Sequence, residues 1–99
     1  MRTREDAIKL VKALADDTRF RIVELLLNGK LCVCKIFPQV KKAQPTVSLQ
    51  LKKLERLGVI SSKRMGRRVF YEIRNKRVYA ILEALGYNKK CPKPGKGPK

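Results

Sequence analysis

Three cysteines carry the most distinctive chemistry in this 99-residue chain. Cys32 and Cys34 form a Cys-x-Cys pair, and Cys91 stands alone near the end. Thiolates select soft, thiophilic ions. Histidine, the commonest general base and metal ligand, is absent. On a regular helix, residues two apart point about 200° apart, so a helical Cys32 and Cys34 would not share an ion. In extended backbone they point the same way. Pro38 argues for the extended case, because it cannot donate to the Cys34 carbonyl and its ring clashes there. A short helix in this region is therefore expected to start late, near Ile36, or to kink. With a late start, Cys32-Val33-Cys34 is extended and both sulfurs face one ion. Where a soft ion takes three thiolates, Cys91 is the only further thiol, within linker reach from the same or a partner subunit. Lys30 and Lys35 are expected to lower the thiol pKa values. The alternative is that both cysteines are small apolar packing residues. An odd cysteine count without a secretory context argues against a disulfide framework, and an i, i+2 disulfide would be strained.

The second chemistry is cationic. The chain has 25 basic and 8 acidic residues, a formal net charge of +17. That excess implies a polyanionic partner: DNA, RNA or an anionic membrane surface. Membrane is the weakest of these, since no apolar run approaches the ~18 residues of a spanning helix. The charged, amphipathic N-terminus does not read as a signal peptide, so a cytoplasmic protein is expected. The charge is also segregated. Between Leu25 and Leu54 there is no acid, but Lys30, Lys35, Lys41, Lys42, Lys52 and Lys53 are present. Further on, Lys63, Arg64, Arg67, Arg68, Arg74, Lys76 and Arg77 face Glu72 alone. Enzymatic chemistry has no support: there is no histidine, no phosphate-cradling glycine loop and no clustered carboxylates.

The elements that must position these groups follow from periodicity. Val47, Leu51 and Leu54 recur on one face of an amphipathic helix. Pro45 fits its first position and Gly58 its end, which predicts a helix from about Pro45 to Leu57. Its other face carries Thr46, Ser48, Leu49, Gln50, Lys52 and Lys53. With Gln44, these suit a DNA major groove, where amides and hydroxyls meet base edges and lysines meet phosphate. Upstream, a helix over Glu5 to Ala15 carries a stripe of Ile8, Val11 and Leu14 with Ala7 and Ala15. Asp16 or Asp17 then caps a second helix to about Leu27, apolar nearly all round and so central to the core. Downstream, Val59-Ile60 and Arg68 to Ile73 read as strands. The stretch between them, with Gly66 at a tight turn, makes a hairpin with a basic tip. Arg64, Arg67 and Arg68 are expected to reach backbone or minor groove. A last helix from about Asn75 to Leu85 carries Val78, Ile81, Leu82 and Leu85, with Gly86 as its cap. Residues 88–99, rich in Pro, Gly and Lys, are expected to be a disordered tail after a single domain over 1–87.

The order is α-α-α-α-β-β-α, mostly helical with one small β-hairpin. A helix-turn-helix followed by a hairpin is the winged-helix arrangement. The amphipathic first and last helices are extra to its core, so a homodimer built on them is expected. Such a dimer places two recognition helices about one DNA turn apart, on a palindromic double-stranded operator.

The segments LADDTRFRIVELL, LCVCKI, QPTVSLQLKKLERLGVI and RRVFYEI, spanning Leu14 to Ile73, closely resemble the ArsR/SmtB family of metal-responsive repressors. The resemblance implies a dimeric repressor that leaves its operator when a metal or metalloid binds. In the arsenic-sensing branch the cysteines of a CVC motif bind trivalent arsenic or antimony; the matching positions here are Cys32 and Cys34. Several positions depart from the pattern. Ala43 replaces the usual Ser N-cap, so the recognition helix either starts less firmly or is capped by Gln44. Leu49-Gln50 stands where His-His is common. Phe37 lies where arsenic sensors often carry a third cysteine. The Asp and His pairs of zinc-sensing members are missing from the last helix. The competing expectation is a basic winged-helix protein, chromatin-like or RNA-binding, with no inducer, which would show steep salt dependence and little sequence preference.

Overall fold

A computed structural model describes residues 3–87. Five helices pack together with a small three-stranded sheet, and local chemistry sets most boundaries. Helix α1 (Arg4–Leu14) starts where Thr3 Oγ1 accepts from the Asp6 backbone N–H at 3.1 Å. Helix α2 (Asp17–Leu26) is capped by Asp16, whose Oδ2 accepts from the Arg19 N–H at 3.0 Å. Each such cap satisfies a donor that the first helical turn leaves unpaired. Gly29, at φ 122°, turns the chain into strand β1 (Leu31–Cys32). Helix α3 (Val33–Val40) follows directly, and Lys41 ends it in the left-handed region at φ 62°. Helix α4 (Gln44–Arg56), strands β2 (Ile60–Met65) and β3 (Arg68–Ile73), and helix α5 (Arg77–Ala84) complete the chain.

The core is centred on α2, as its composition predicts. Ile22, Val23, Leu26 and Leu27 are buried against Ile36 of α3, Val47, Leu51 and Leu54 of α4, and Val78 and Leu82 of α5. Burying one such aliphatic side chain contributes about 1.5–3 kcal/mol. The sheet order is β1-β3-β2, antiparallel throughout. The Val59 carbonyl accepts from the N–H groups of Arg74 (2.8 Å) and Asn75 (3.2 Å), which fixes the start of the hairpin beside the entry to α5. The architecture is a winged helix-turn-helix. Among the described residues no helix is long and apolar enough to cross a membrane.

Four expectations need correction. The helix through Pro38 starts at Val33, not near Ile36. The bond that Pro38 forfeits belongs to the Cys34 carbonyl. Both residues lie on the exposed side of α3, so that deficit is borne at the solvent face. Second, β1 is an addition: two residues show no periodicity, and they become a strand only by pairing with β3. Third, β2 extends to Met65, which reduces the turn to Gly66 and Arg67. Fourth, the first-helix stripe divides. Leu10, Ala13 and Leu14 face the core, whereas Ile8 (44 % exposed) and Val11 (61 %) face outward. The last helix divides likewise, with Val78 and Leu82 inside and Leu85 outside. The 88–99 tail, with Cys91, lies outside the described residues.

Candidate nucleic-acid interface and thiol pair

Helix α4 lays Val47, Leu51 and Leu54 on the core and turns its remaining residues outward. Ala43 is its N-cap without any side-chain hydrogen bond, and Gln44 is already helical, so Gln44 does not cap it. The first-turn N–H groups of α4 are thereby left open, which suits a helix whose N-terminus approaches phosphate. Gln44, Thr46, Leu49 and Lys52 are exposed, while Ser48, Gln50 and Lys53 are half-buried. Leu49, at 52 % exposure, is an apolar group on a polar face, suited to a thymine methyl.

Gln50 is held differently. Its Oε1 accepts from Arg19 Nη1 at 2.9 Å. Arg19 also donates from Nε to the Ala13 carbonyl (2.8 Å) and from Nη2 to the Lys12 carbonyl (3.3 Å). One guanidinium on α2 thus ties the C-terminal end of α1 to the recognition helix. A bidentate contact of Gln50 with adenine needs both amide atoms, and one is engaged. On the far side, Ser62 Oγ donates to Glu55 Oε2 at 2.6 Å and ties α4 to the wing. Sequence reasoning missed Arg19, because its partners are set by tertiary packing and not by local pattern.

In the wing, Arg64 pairs with Val69 and Met65 with Arg68, so the basic residues flank a two-residue turn. Directly paired residues in antiparallel strands share a face. Arg64 is thereby on the face of Tyr71 and Ile73, and Arg68 on the opposite face with Lys63 and Phe70. Arg64, Arg67 and Arg68 are all exposed.

The thiols meet at the junction of β1 and α3. Cys32 is the N-cap of α3, with extended backbone (φ −63°, ψ 142°). Its Sγ accepts from the Cys34 backbone N–H at 3.4 Å and from the Cys34 thiol at 2.7 Å. The sulfurs converge as expected, but through capping geometry. Only Cys32 is extended, and its side chain folds back over the first helical turn that carries Cys34. Cys32 is buried at 5 % exposure, and Cys34 is exposed. Donation from the Cys34 thiol holds the Cys32 pKa below the ordinary thiol value, against an opposing effect of burial. The same hydrogen bond pushes the Cys34 pKa up. Arg68 and Lys35 favour thiolate at both sites, so the wing strand's Arg68 takes the part expected of Lys30. This fits the register, since Cys32 pairs with Phe70 and shares its face with Arg68. Among the described residues no group of three or more Cys, His, Asp or Glu could hold a metal ion.

This arrangement matches known proteins. Residues 16–62 fit the model of the bacterial regulatory protein, arsR family. A transcriptional regulator of Methanocaldococcus jannaschii is 40% identical over 82 residues, covering 82% of this chain and 92% of its own length. The chain belongs to the arsR family. As such it is a DNA-binding transcriptional regulator, and its relatives are regulators and not enzymes. A cadmium resistance regulatory protein CadC homolog of Staphylococcus aureus is 35% identical over 79% of this chain and 65% of its own length. The arsenical resistance operon repressor of Escherichia coli is 39% identical over 67% of this chain and 57% of its own. The chain therefore spans less than two thirds of these two relatives. Among solved structures, HlyU of Vibrio cholerae superposes with a TM-score of 0.78 at 29% identity, covering 86% of this chain and 94% of its own. The homodimeric winged helix-turn-helix domain of a possible ArsR-family regulator of Mycobacterium bovis superposes at 0.72, with 27% identity over 82% of this chain and 78% of its own.

Proposed function

We propose that this arsR-family regulator is a homodimeric repressor that leaves a palindromic operator when a thiophilic ion occupies Cys32 and Cys34. The convergence of the two sulfurs at the start of α3 carries this reading. Trivalent arsenic or antimony is the first choice of ion, and the names of the relatives add cadmium. The site fits a soft ion in part: it supplies two thiolates, and Cys91 of either subunit is the candidate third. Two thiolates sharing one ion would have to stand farther apart than the sulfurs of the present hydrogen bond. From 2.7 Å, this requires the Cys34 side chain to swing away from Cys32. Because Cys34 is exposed, that rotation meets little packing.

The swing has a structural consequence. An ion on Cys32 Sγ draws on the same sulfur that accepts from the Cys34 N–H, so occupancy would weaken the cap of α3. Helix α3 leads through Lys41 directly into α4, and both pack on α2. An ion shifts the equilibrium only as far as it binds the two arrangements differently. On DNA, Gln44, Thr46, Ser48 and Leu49 of α4 would meet base edges, Lys52 and Lys53 phosphate, and Arg64, Arg67 and Arg68 the flanking backbone or minor groove. Gln50 would contribute through its free amide N–H groups.

The test is a gel-shift titration of the reduced protein on DNA from its own promoter region, with trivalent arsenic, antimony or cadmium added. Release at stoichiometric ion, abolished in Cys32→Ser while DNA binding persists, is the expected result. Release that survives Cys32→Ser would refute the site. The burial of Cys32 favours a second reading, a regulator without an inducer, in which the thiols serve packing. It predicts operator binding indifferent to every ion.

A further inference from the structure

Beside the outward face of α4, and sharing Lys53 with it, lies a cleft between α1 and the C-terminal half of α4. It measures about 340 Å³ and is lined by Lys9, Lys12, Arg19, Lys53 and Arg56. Its floor is apolar, formed by Ala13 and Leu57. No acid lines it; the nearest acid of α1 in that region, Asp6, borders the adjoining hollow. Arg19 is committed to the Ala13 and Lys12 carbonyls and to Gln50, so it shapes the cleft by holding α1 against α4. The other four cations form no ion pair with a carboxylate among the described residues, where the one salt bridge joins Arg21 and Glu24. Four unpaired cations around one concavity repel one another, and a polyanion removes that repulsion.

The cleft is continuous with the face that reads DNA. Leu49, Lys52 and Arg56 fall at i, i+3 and i+7 along α4, so the exposed face runs straight to its rim. A helix in a major groove about 12 Å wide has a phosphate backbone along each flank. We propose that this cleft clamps the sugar-phosphate backbone along one flank of the groove that α4 occupies. Lys9 and Lys12 of α1 are then phosphate ligands supplied from outside the helix-turn-helix. The alkyl stems of these lysines, with the exposed Leu57, give the deoxyribose an apolar bed. This inference rests on the reading of α4 as the DNA-contacting helix and extends its footprint to α1.

The test is the salt dependence of binding by the full chain, wild type against the double variant Lys9→Ala/Lys12→Ala. Removing one lysine–phosphate pairing makes the slope of log K against log salt shallower by about 0.9, so the variant's slope should be shallower by roughly 1.8 per protomer. The change should be equal on the operator and on an unrelated duplex, because phosphate carries no sequence. The double variant Lys9→Arg/Lys12→Arg should keep the wild-type slope. Both lysines are exposed, so an unchanged thermal midpoint is expected. An unchanged slope would overturn the clamp. So would a change confined to the operator, which would mean that α1 merely positions α4. An unchanged slope with weakened self-association would assign the cleft to a second copy of the chain, again against the clamp. If the wild type bound no duplex at all, the reading of α4 would fall with it; wild-type binding with an unaffected variant would sink the clamp alone.

Discussion

At the scale of single residues, Cys32 joins three roles that are usually separate: helix cap, core side chain and acceptor of a thiol hydrogen bond. The hydrogen bond from the Cys34 thiol couples the pair, holding the Cys32 pKa below the ordinary thiol value and pushing that of Cys34 above it, a lower and an upper step. Cys34 is the exposed member, so its reactivity reports the upper step. Peptide-resolved alkylation by iodoacetamide should place the Cys34 midpoint above that of the same peptide in the denatured chain. Cys32→Ser removes the acceptor sulfur, so the Cys34 midpoint should fall back toward the ordinary value. A midpoint indifferent to that substitution would mean that the sulfurs do not share a proton. The convergence of the thiols was expected from Pro38 on the wrong ground, because Pro38 does not delay the helix, which starts at Val33. The device that produces it was not legible, because capping depends on one dihedral angle at Cys32. Arg19 shows the same limit: nothing in TRFRIV marks which arginine reaches Gln50, 31 positions on.

At the scale of elements, what can be read from the chain tracks how much apolar periodicity each element needs. Helix α4 announces itself through Val47, Leu51 and Leu54, all buried at 1 % exposure or less. Strand β2 is legible only as far as Ile60, because beyond it the strand leaves the core: Ser62 to Met65 are all exposed, held by hairpin pairing and by the Ser62 contact with Glu55. The end of the chain shows how a later residue locks an earlier element. After α5, the Tyr87 hydroxyl donates to Glu24 of α2, and its ring lies 6.1 Å from Phe20 between centroids. That hydrogen bond to a carboxylate holds the Tyr87 pKa above the usual tyrosine value of 10.0. An acid whose folded pKa is raised contributes stability below its unfolded pKa and loses it as pH rises through the folded value. Wild type should therefore unfold at a higher temperature than Tyr87→Phe at neutral pH, and the two melting curves should converge in strongly alkaline solution. A difference independent of pH would show that Tyr87 acts through its ring alone.

At the scale of the whole molecule, the surface that needs a partner is apolar as well as basic. Leu10, Ala13 and Leu14 are enough to anchor α1 to its own fold, so Ile8 and Val11 on the outward side serve no internal packing. Leu85, at 62 % exposure, adds a second isolated apolar group where α5 ends. A chain of 99 residues buries one modest core, and large exposed aliphatics on its two outermost helices are more readily kept if a second copy covers them. Val11→Glu tests this without disturbing the core, because Val11 is 61 % exposed. Across a two-fold interface each carboxylate would meet its own copy or be desolvated, and either outcome disfavours association. The expected result is a monomer in sedimentation equilibrium at concentrations where wild type is dimeric, with its thermal unfolding still cooperative. Linking two binding modules raises avidity by about 10²–10⁴ over one, so operator affinity should drop by about 10²-fold or more while half-site binding persists. Retained dimerisation and full operator affinity in Val11→Glu would move the interface away from α1. A monomer that still bound the operator at wild-type strength would instead separate dimerisation from DNA recognition, and the two recognition helices would then have to act independently.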